Sequence, residues 1–303
     1  MKQIHVRVVY DHLTGWAYWR RAVAIQKYAP DDMDITIVPH MQRFDGHQPI
    51  DVLYDMNYGH VQAARKELDM WHPKAGFAVA FNCGWQRRPE FFRKCLKYAD
   101  VTVLNNHEYW DKAGRLANTR CIPNGVDTGL FRHLVPVADR PRKLLWLGSD
   151  YHRELKGYSL AVEAAKQLKD FGIESDIVCI DTDRRNTIKP QESMPAWYNS
   201  GRVFLCASEN EGTPNPALEA AACGCAIVTT RVGNMPELIE DGVNGIFVRR
   251  DVGSIVAGVR DAEHNAEKMA DEMLEVIHGW DWSVQVQPFY ELFRELAKER
   301  VHV

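Results

Sequence analysis

The stretch from Val203 to Val248 constrains the chain most. Val203 to Cys206 is a short apolar run, the length of one buried strand. A polar turn follows, Ser208-Glu209-Asn210-Glu211-Gly212. Thr213 suits a helix N-cap, and Pro214 suits the first helical position, where no amide hydrogen is needed. Pro216 still falls in the first turn, so its missing N–H breaks no internal bond. The helix runs through Leu218, Glu219 and Ala222 and stops at Gly224, a natural C-terminal cap. Cys225 to Thr229 is apolar and β-branched and reads as the next strand. Strand, loop, helix and strand in this order make one right-handed parallel crossover, the unit of an α/β fold.

The turn of that unit carries chemistry. Free amides and the positive dipole end at a helix start attract phosphate. Gly212 lets backbone approach a ligand closely. Two carboxylates, Glu211 and Glu219, flank the same place. Carboxylates repel phosphate but accept hydrogen bonds well from sugar hydroxyls. Amides for a diphosphate beside carboxylates for hydroxyls suit a nucleotide-sugar.

The segment resembles the donor-site signature of retaining glycosyltransferases of family 4, which have the GT-B fold. That signature has two glutamates separated by seven residues, a small-residue helix ending in Cys-Gly, an apolar strand and a Gly-x-x-Pro-Glu-Leu-Ile segment. Here these are Glu211 and Glu219, Cys223-Gly224, and Gly233 through Ile239, followed by Asp241-Gly242-Val243-Asn244-Gly245. The resemblance implies two Rossmann-like domains facing each other across a cleft, with a C-terminal helix returning to the first.

The rest of the chain alternates in the same way. Strands are expected at Ile4 to Tyr10, Asp34 to Val38, Asp51 to Tyr54, Gly76 to Phe81 and Val101 to Leu104. Helices are expected from about Trp16 to Tyr28, Val61 to Leu68, Glu90 to Tyr98 and His107 to Leu116. Ile122-Pro123-Asn124-Gly125-Val126-Asp127, with Phe131 after it, contains a strong turn dipeptide and resembles the family segment before the domain crossover. Val135 to Arg142, with two prolines and three charges, reads as a linker. The second half restarts at Leu144 to Leu147. It continues through a helix after Gly157, a strand at Ile177 to Ile180 and a short helix at Met194 to Tyr198. One helix is expected over Ser254 to Ile277 and a last one near Val286 to Ala297. The expected domains are 1–135, on the acceptor side, and 136–282, binding the nucleotide-sugar, with 283–303 packing back on the first.

Further site residues follow from the resemblance. The family places an Arg after the first strand of the second domain and a Lys before the next helix Gly. Lys156 matches the Lys, whereas Ser149 stands where the Arg would be. Arg153, in a loop about two residues longer, is the candidate replacement. Glu211 is then expected on the sugar hydroxyls, Glu219 on the ribose, and the amides of Gly212, Thr213, Pro214 and Asn215 near the diphosphate, Pro214 lacking an N–H of its own. Glu211, Lys156 and Arg153 form the catalytic set. In the first domain Gly15 allows close approach of substrate. The family's His after the fourth strand is absent from Asn82-Cys83-Gly84-Trp85, which leaves His12 or His107 as alternatives. Asp181 and Asp183 form an Asp-x-Asp pair of the type that holds a divalent metal in nucleotide-sugar enzymes of a different fold, so no metal site is expected here.

Composition narrows the classes. The chain has 303 residues, 46% apolar, enough for two sizeable cores. Its formal net charge of −4 gives no long-range field for nucleic acid. No run approaches the ~20 apolar residues of a membrane span. Seven cysteines, mostly in apolar runs, read as buried reduced thiols in a cytoplasmic protein. No Gly-x-Gly-x-x-Gly follows the first strand, against a dehydrogenase. The expected activity is retaining, metal-independent transfer of a sugar from a nucleoside diphosphate to an acceptor hydroxyl, without a cofactor. Glycan, lipid-linked sugar, small molecule and hydroxylated DNA base all stand as acceptors, DNA weakly disfavoured by charge. The alternative is a non-catalytic nucleotide-sugar-binding protein on the same scaffold.

Overall fold

The computed structural model describes residues 3–11, 17–44, 49–81, 88–180 and 191–299. Two parallel sheets form from the alternating runs. One unit takes the chain through Asn124 together with the segment from Trp282 onward; the other is Gly125–Asp281.

The first sheet has strands β1 (Ile4–Tyr10), β2 (Met33–Pro39), β3 (Val52–Asp55), β4 (Gly76–Phe81), β5 (Val101–Leu104) and β6 (Thr119–Cys121). Their order is β2-β1-β3-β4-β5-β6, and every pairing is parallel. β6 has one buried residue, Thr119, and lacks the apolar run that marks a strand in sequence. Between the strands run α1 (Ala17–Lys27), α2 (Val61–Trp71), α3 (Pro89–Tyr98) and α4 (His107–Lys112). Helix α4 is shorter than its sequence suggests because Gly114 and Arg115 take positive φ and turn the chain away. Both faces of the sheet are covered, which is why the central strands are apolar on consecutive residues. Val9, Leu53, Phe77 and Phe81 pack with Val61, Leu68 and Phe92 on one side.

The second sheet has β7 (Lys143–Ser149), β8 (Glu174–Ile180), β9 (Val203–Cys206), β10 (Ala226–Thr229) and β11 (Gly245–Phe247), ordered β11-β10-β9-β7-β8 and again parallel. Its helices are α5 (Tyr158–Leu168), α6 (Met194–Tyr198), α7 (Asn215–Ala222), α8 (Met235–Leu238), α9 (Val252–His264) and α10 (Ala266–Ile277). Phe204 and Ile227 meet Leu218, Ala220 and Met273 on one face. Leu205 and Val228 meet Ala161, Ala164 and Val259 on the other. The single helix expected over 254–277 is two helices that break at Asn265.

The expected boundary at 135/136 falls inside the second unit. Phe131 is buried beside Tyr198 there, with ring centroids 6.0 Å apart. Arg140 is buried too, and its guanidinium donates to the carbonyls of Val135 (2.9 Å) and Cys223 (2.8 Å) and to Asn199 Oδ1 (2.9 Å). This segment is therefore a packed strap and not a free linker. Val126 and Asp281 pair as an isolated bridge, and Thr128 Oγ1 donates to Asp281 Oδ2 at 2.7 Å.

After Asp281 the chain re-enters the first unit as α11 (Trp282–Gln285) and α12 (Gln287–Glu299). Phe289, Tyr290, Phe293 and Leu296 of α12 join Val6, Val8, Tyr54 and Ala78 in its core. The Tyr290 hydroxyl donates to the Ile25 carbonyl at 2.9 Å, and Arg294 forks onto both Asp32 oxygens at 2.8 Å.

Candidate functional site

In the second sheet β8 leaves to one side of β7 and β9 lies on the other. A doubly wound sheet opens its ligand crevice at such a switch point, at the carboxyl ends of the strands. The loop after β7 brings Lys156 there, and the loop after β9 brings Ser208 and Glu211.

Tertiary contacts fix both loops. Gly157, the N-cap of α5, has φ of 79°. A Cβ on it would lie 2.5 Å from the Ala207 carbonyl oxygen, so only glycine lets the first loop reach the end of β9. The Lys156 carbonyl accepts from Trp146 Nε1 at 3.2 Å, and the Leu155 carbonyl from the Glu209 amide at 2.8 Å. Gly233 acts likewise on the far side. Its φ is 56°, and a Cβ there would meet the Gly212 carbonyl oxygen at 2.5 Å and Glu211 Cβ at 3.2 Å.

Within this frame Lys156 Nζ contacts Glu211 Oε1, and Ser208 Oγ donates to the same oxygen at 2.7 Å. The lysine side chain is 29% exposed and the glutamate 10%. Thr230 Oγ1 donates to the Ser208 carbonyl at 2.6 Å and steadies the loop from β10. A cavity opens beside the pair, lined also by Cys206, Pro214, Pro216 and Ala217. Burial, with the Glu211 carboxylate beside it, holds the Cys206 thiol above its usual range.

Glu219 sits apart from this group. It is the buried acid of α7, a helix whose neighbours Ala217, Leu218 and Ala220 through Ala222 are also buried. A buried carboxylate needs donors, and the buried Tyr198 hydroxyl of α6 supplies one to Glu219 Oε2 at 2.8 Å. The helix ends in a Schellman motif, with the Cys225 amide on the Ala220 carbonyl and the Gly224 amide on Ala221, each at 2.9 Å. Its start differs from the sequence reading. α7 begins at Asn215, one residue later than expected, and Pro214 stands at its N-cap position. The Thr213 hydroxyl accepts from Asn234 Nδ2 at 3.4 Å, tying the loop to α8.

Arg153 takes up other contacts. It is 57% exposed, with Nε 3.5 Å from Glu154 Oε1 and the guanidinium 5.5 Å from the Tyr158 ring centroid. Ser149 ends β7 and is partly buried. His107 begins α4, with its ring 6.0 Å from that of Trp110. Gly15, His12, the 82–85 loop, Asp181 and Asp183 lie outside the described residues. The residues that sequence reasoning missed are Ser208, Tyr198, Thr230 and Asn234. Each is an ordinary polar residue in the sequence, and only its partner marks it out.

Comparison with known proteins agrees with this architecture. The sucrose-phosphate synthase of Thermosynechococcus elongatus superposes with a TM-score of 0.78, covering 97% of this chain and 99% of its own, at 13% identity. HepE of Anabaena, solved in complex with UDP-glucose, gives 0.76, covering 97% of this chain and all of its own, at 13% identity. These likenesses define the fold: two Rossmann-like parallel-sheet halves of the GT-B type. More particularly, residues 141–277 match the family model "Glycosyl transferases group 1", which falls within the second unit. A D-inositol 3-phosphate glycosyltransferase of Arthrobacter is 31% identical over 159 residues, 42% of this chain and 37% of that protein. The chain spans roughly a quarter to over a third of the length of the curated relatives it matches first. Among the described residues no helix is long and apolar enough to cross a membrane.

Proposed function

We propose that this chain is a retaining glycosyltransferase that carries a sugar from a nucleoside diphosphate to an acceptor hydroxyl without a metal. The observation that carries the reading is the meeting of Lys156 and Glu211 at the switch point of a domain that matches glycosyl transferases group 1. Lys156 and the amides of Gly212, Thr213 and Asn215 take the diphosphate, where a fixed cation offsets the charge that grows on the leaving group. Glu211 accepts from sugar hydroxyls and Glu219 from the ribose. Retention follows from attack on the same face as the departing phosphate, which takes the acceptor proton. The donor belongs to the second unit, and the first unit is left to recognise the acceptor.

UDP-sugars are the first donors to try, since a protein of this fold was solved with UDP-glucose. A donor panel against glycan, lipid-linked, small-molecule and hydroxymethylated-DNA acceptors, read by mass spectrometry with excess chelator present, tests the reading. Transfer that stops on chelation and returns with Mg²⁺ would overturn its metal-independent part.

The placement of Arg153 supports a second reading. With Ser149 in place of the family's arginine and Arg153 on Glu154, Lys156 is the one member of the basic pair at the site. A binding protein without turnover would need no more. Tight donor binding with neither transfer nor donor hydrolysis would favour it.

A further inference from the structure

We propose, resting on the donor reading above, that Arg140 is a positioning residue of the donor site. From the far end of α7 it offsets the charge of Glu219. One helix then offers a carboxylate to the ribose and still receives a diphosphate at its start.

The conflict is built into α7. Its first amides carry the positive end of the helix dipole and suit phosphate. One turn along, Glu219 places an acid in the same buried interior, where its charge repels that ligand. Arg140 stands at the other end and is 2% exposed. Its guanidinium donates to the carbonyls of Val135 (2.9 Å), Gly201 (3.3 Å) and Cys223 (2.8 Å). It also donates to Asn199 Oδ1 (2.9 Å) and Cys225 Sγ (3.9 Å). All five acceptors are neutral, and among the described residues no carboxylate meets this guanidinium. A guanidinium keeps its charge at neutral pH. A full positive charge is therefore enclosed there without an acid, which is costly unless it serves a purpose.

Cys223 shows what the charge faces. It is the C-cap of α7, so a cation on its carbonyl covers the negative end of the dipole. Burial, Cys225 and the Glu219 carboxylate hold its thiol above the usual range, and Arg140 draws it back. One thiol thus feels both charges, and they oppose each other along α7. The end of α6 holds the two together. Tyr198 donates to Glu219, and the next residue, Asn199, holds Arg140. Asn199 Oδ1 also accepts from the amides of Leu134 (2.9 Å) and Val135 (3.2 Å), and its Nδ2 donates to the carbonyls of Arg132 (2.9 Å) and Pro195 (2.8 Å). The 8 residues of α7 put the guanidinium about 15 Å from a phosphate at its start. At that range a buried charge still changes affinity several-fold for each phosphate charge.

Titration calorimetry on the full chain with UDP, GDP and ADP and the matching monophosphates tests this. Arg140→Met removes the charge and keeps the length of the side chain. It is expected to weaken the diphosphate by about tenfold and the monophosphate by about threefold. Arg140→Lys keeps the charge without the fork and should bind both within about threefold of the parent. Asn199→Asp leaves the guanidinium in place but gives it an acid, and should show the same graded loss as Arg140→Met. Melting curves show which variants fold; where Arg140→Met does not, Asn199→Asp and Arg140→Lys carry the test. Equal losses for mono- and diphosphate, no loss, or a lysine variant as weak as the methionine one would overturn the proposal and leave the donor reading standing. If the parent binds none of the six compounds, the donor reading falls and takes the role of Arg140 with it.

Discussion

Lys156 and Arg153 were both candidates for the phosphate, and their surroundings now separate them. Lys156→Ala removes a preorganised cation and should lower kcat by about 10²-fold. Arg153→Ala removes a half-exposed charge and should change kcat less than about threefold. Steady-state kinetics with one donor and one working acceptor checks both, and a large Arg153 defect would restore it to the site. Tyr198→Phe deletes the hydroxyl on Glu219 and leaves a buried carboxylate short of a donor. It should lower stability by about 1.5–3 kcal/mol and weaken nucleotide binding as well. Denaturant unfolding and calorimetry read the two effects separately, and unchanged values in both would remove Tyr198 from the site. In the first unit, burial pushes the Asp55 carboxyl up from 3.8 to about 6, against the pull of Arg43, the Asn57 amide and His60. The folded chain therefore keeps a proton there that the unfolded chain has released. That contribution to stability is full below 3.8 and is lost as pH rises through about 6. Replacing Asp55 by Asn removes the titration. The melting temperature of Asp55→Asn, compared with the parent, should move in the variant's favour between about pH 4 and 7; a constant difference would break the argument. Lys156 and Glu211 could be picked out in the sequence because spacing and neighbours mark them. Their contact, and that of Tyr198 with Glu219, could not, because partners so far apart in the chain are joined only by tertiary folding.

The elements were legible wherever an apolar run is long and closed by a strong breaker, as in β1, β4, β9 and α7. They were less so where packing overrules pattern. β8 begins with Glu174-Ser175-Asp176 because it is an edge strand, and its pairing with β7 supplies what its composition does not. The break between α9 and α10 at Asn265 has no glycine or proline to announce it. The strap of 135–142 looks like a linker because its burial depends on Asn199 and Cys223, which come much later. The two wedged loops give a prediction at this scale. Gly157→Ala and Gly233→Ala each set a Cβ 2.5 Å from a carbonyl oxygen of the neighbouring loop, at positive φ. Each should cost about 1–3 kcal/mol of stability. Each should also weaken nucleotide binding, since Gly157→Ala displaces the loop that carries Lys156 and Gly233→Ala the loop that carries the Gly212 amide. Unfolding midpoints equal to the parent's would show that the loops are not wedged.

The first unit draws on two stretches of chain with the whole second unit between them. Its core is not closed by strands and helices up to Asn124; α12 lays Phe289 and Phe293 against Tyr54, at centroid distances of 5.1 and 6.0 Å. Phe289→Ala should therefore cost about 3–5 kcal/mol. Scanning calorimetry should show this as a lowered transition for the first unit alone, and an equal fall in both transitions would contradict the division. The same layout bears on the order of events at the ribosome. Domains generally fold as they emerge, N-terminal first. Here that rule cannot hold. The first six strands leave the exit tunnel with one face covered by α1 alone, and the α12 residues that complete it follow only after Gly125–Asp281 is synthesised. The second unit has all its own parts and completes first, and the segment made after it finishes the one begun before it. Until α12 is made, Val6, Val8, Tyr54 and Ala78 lack the Phe289, Tyr290, Phe293 and Leu296 side chains that share their core in the folded unit.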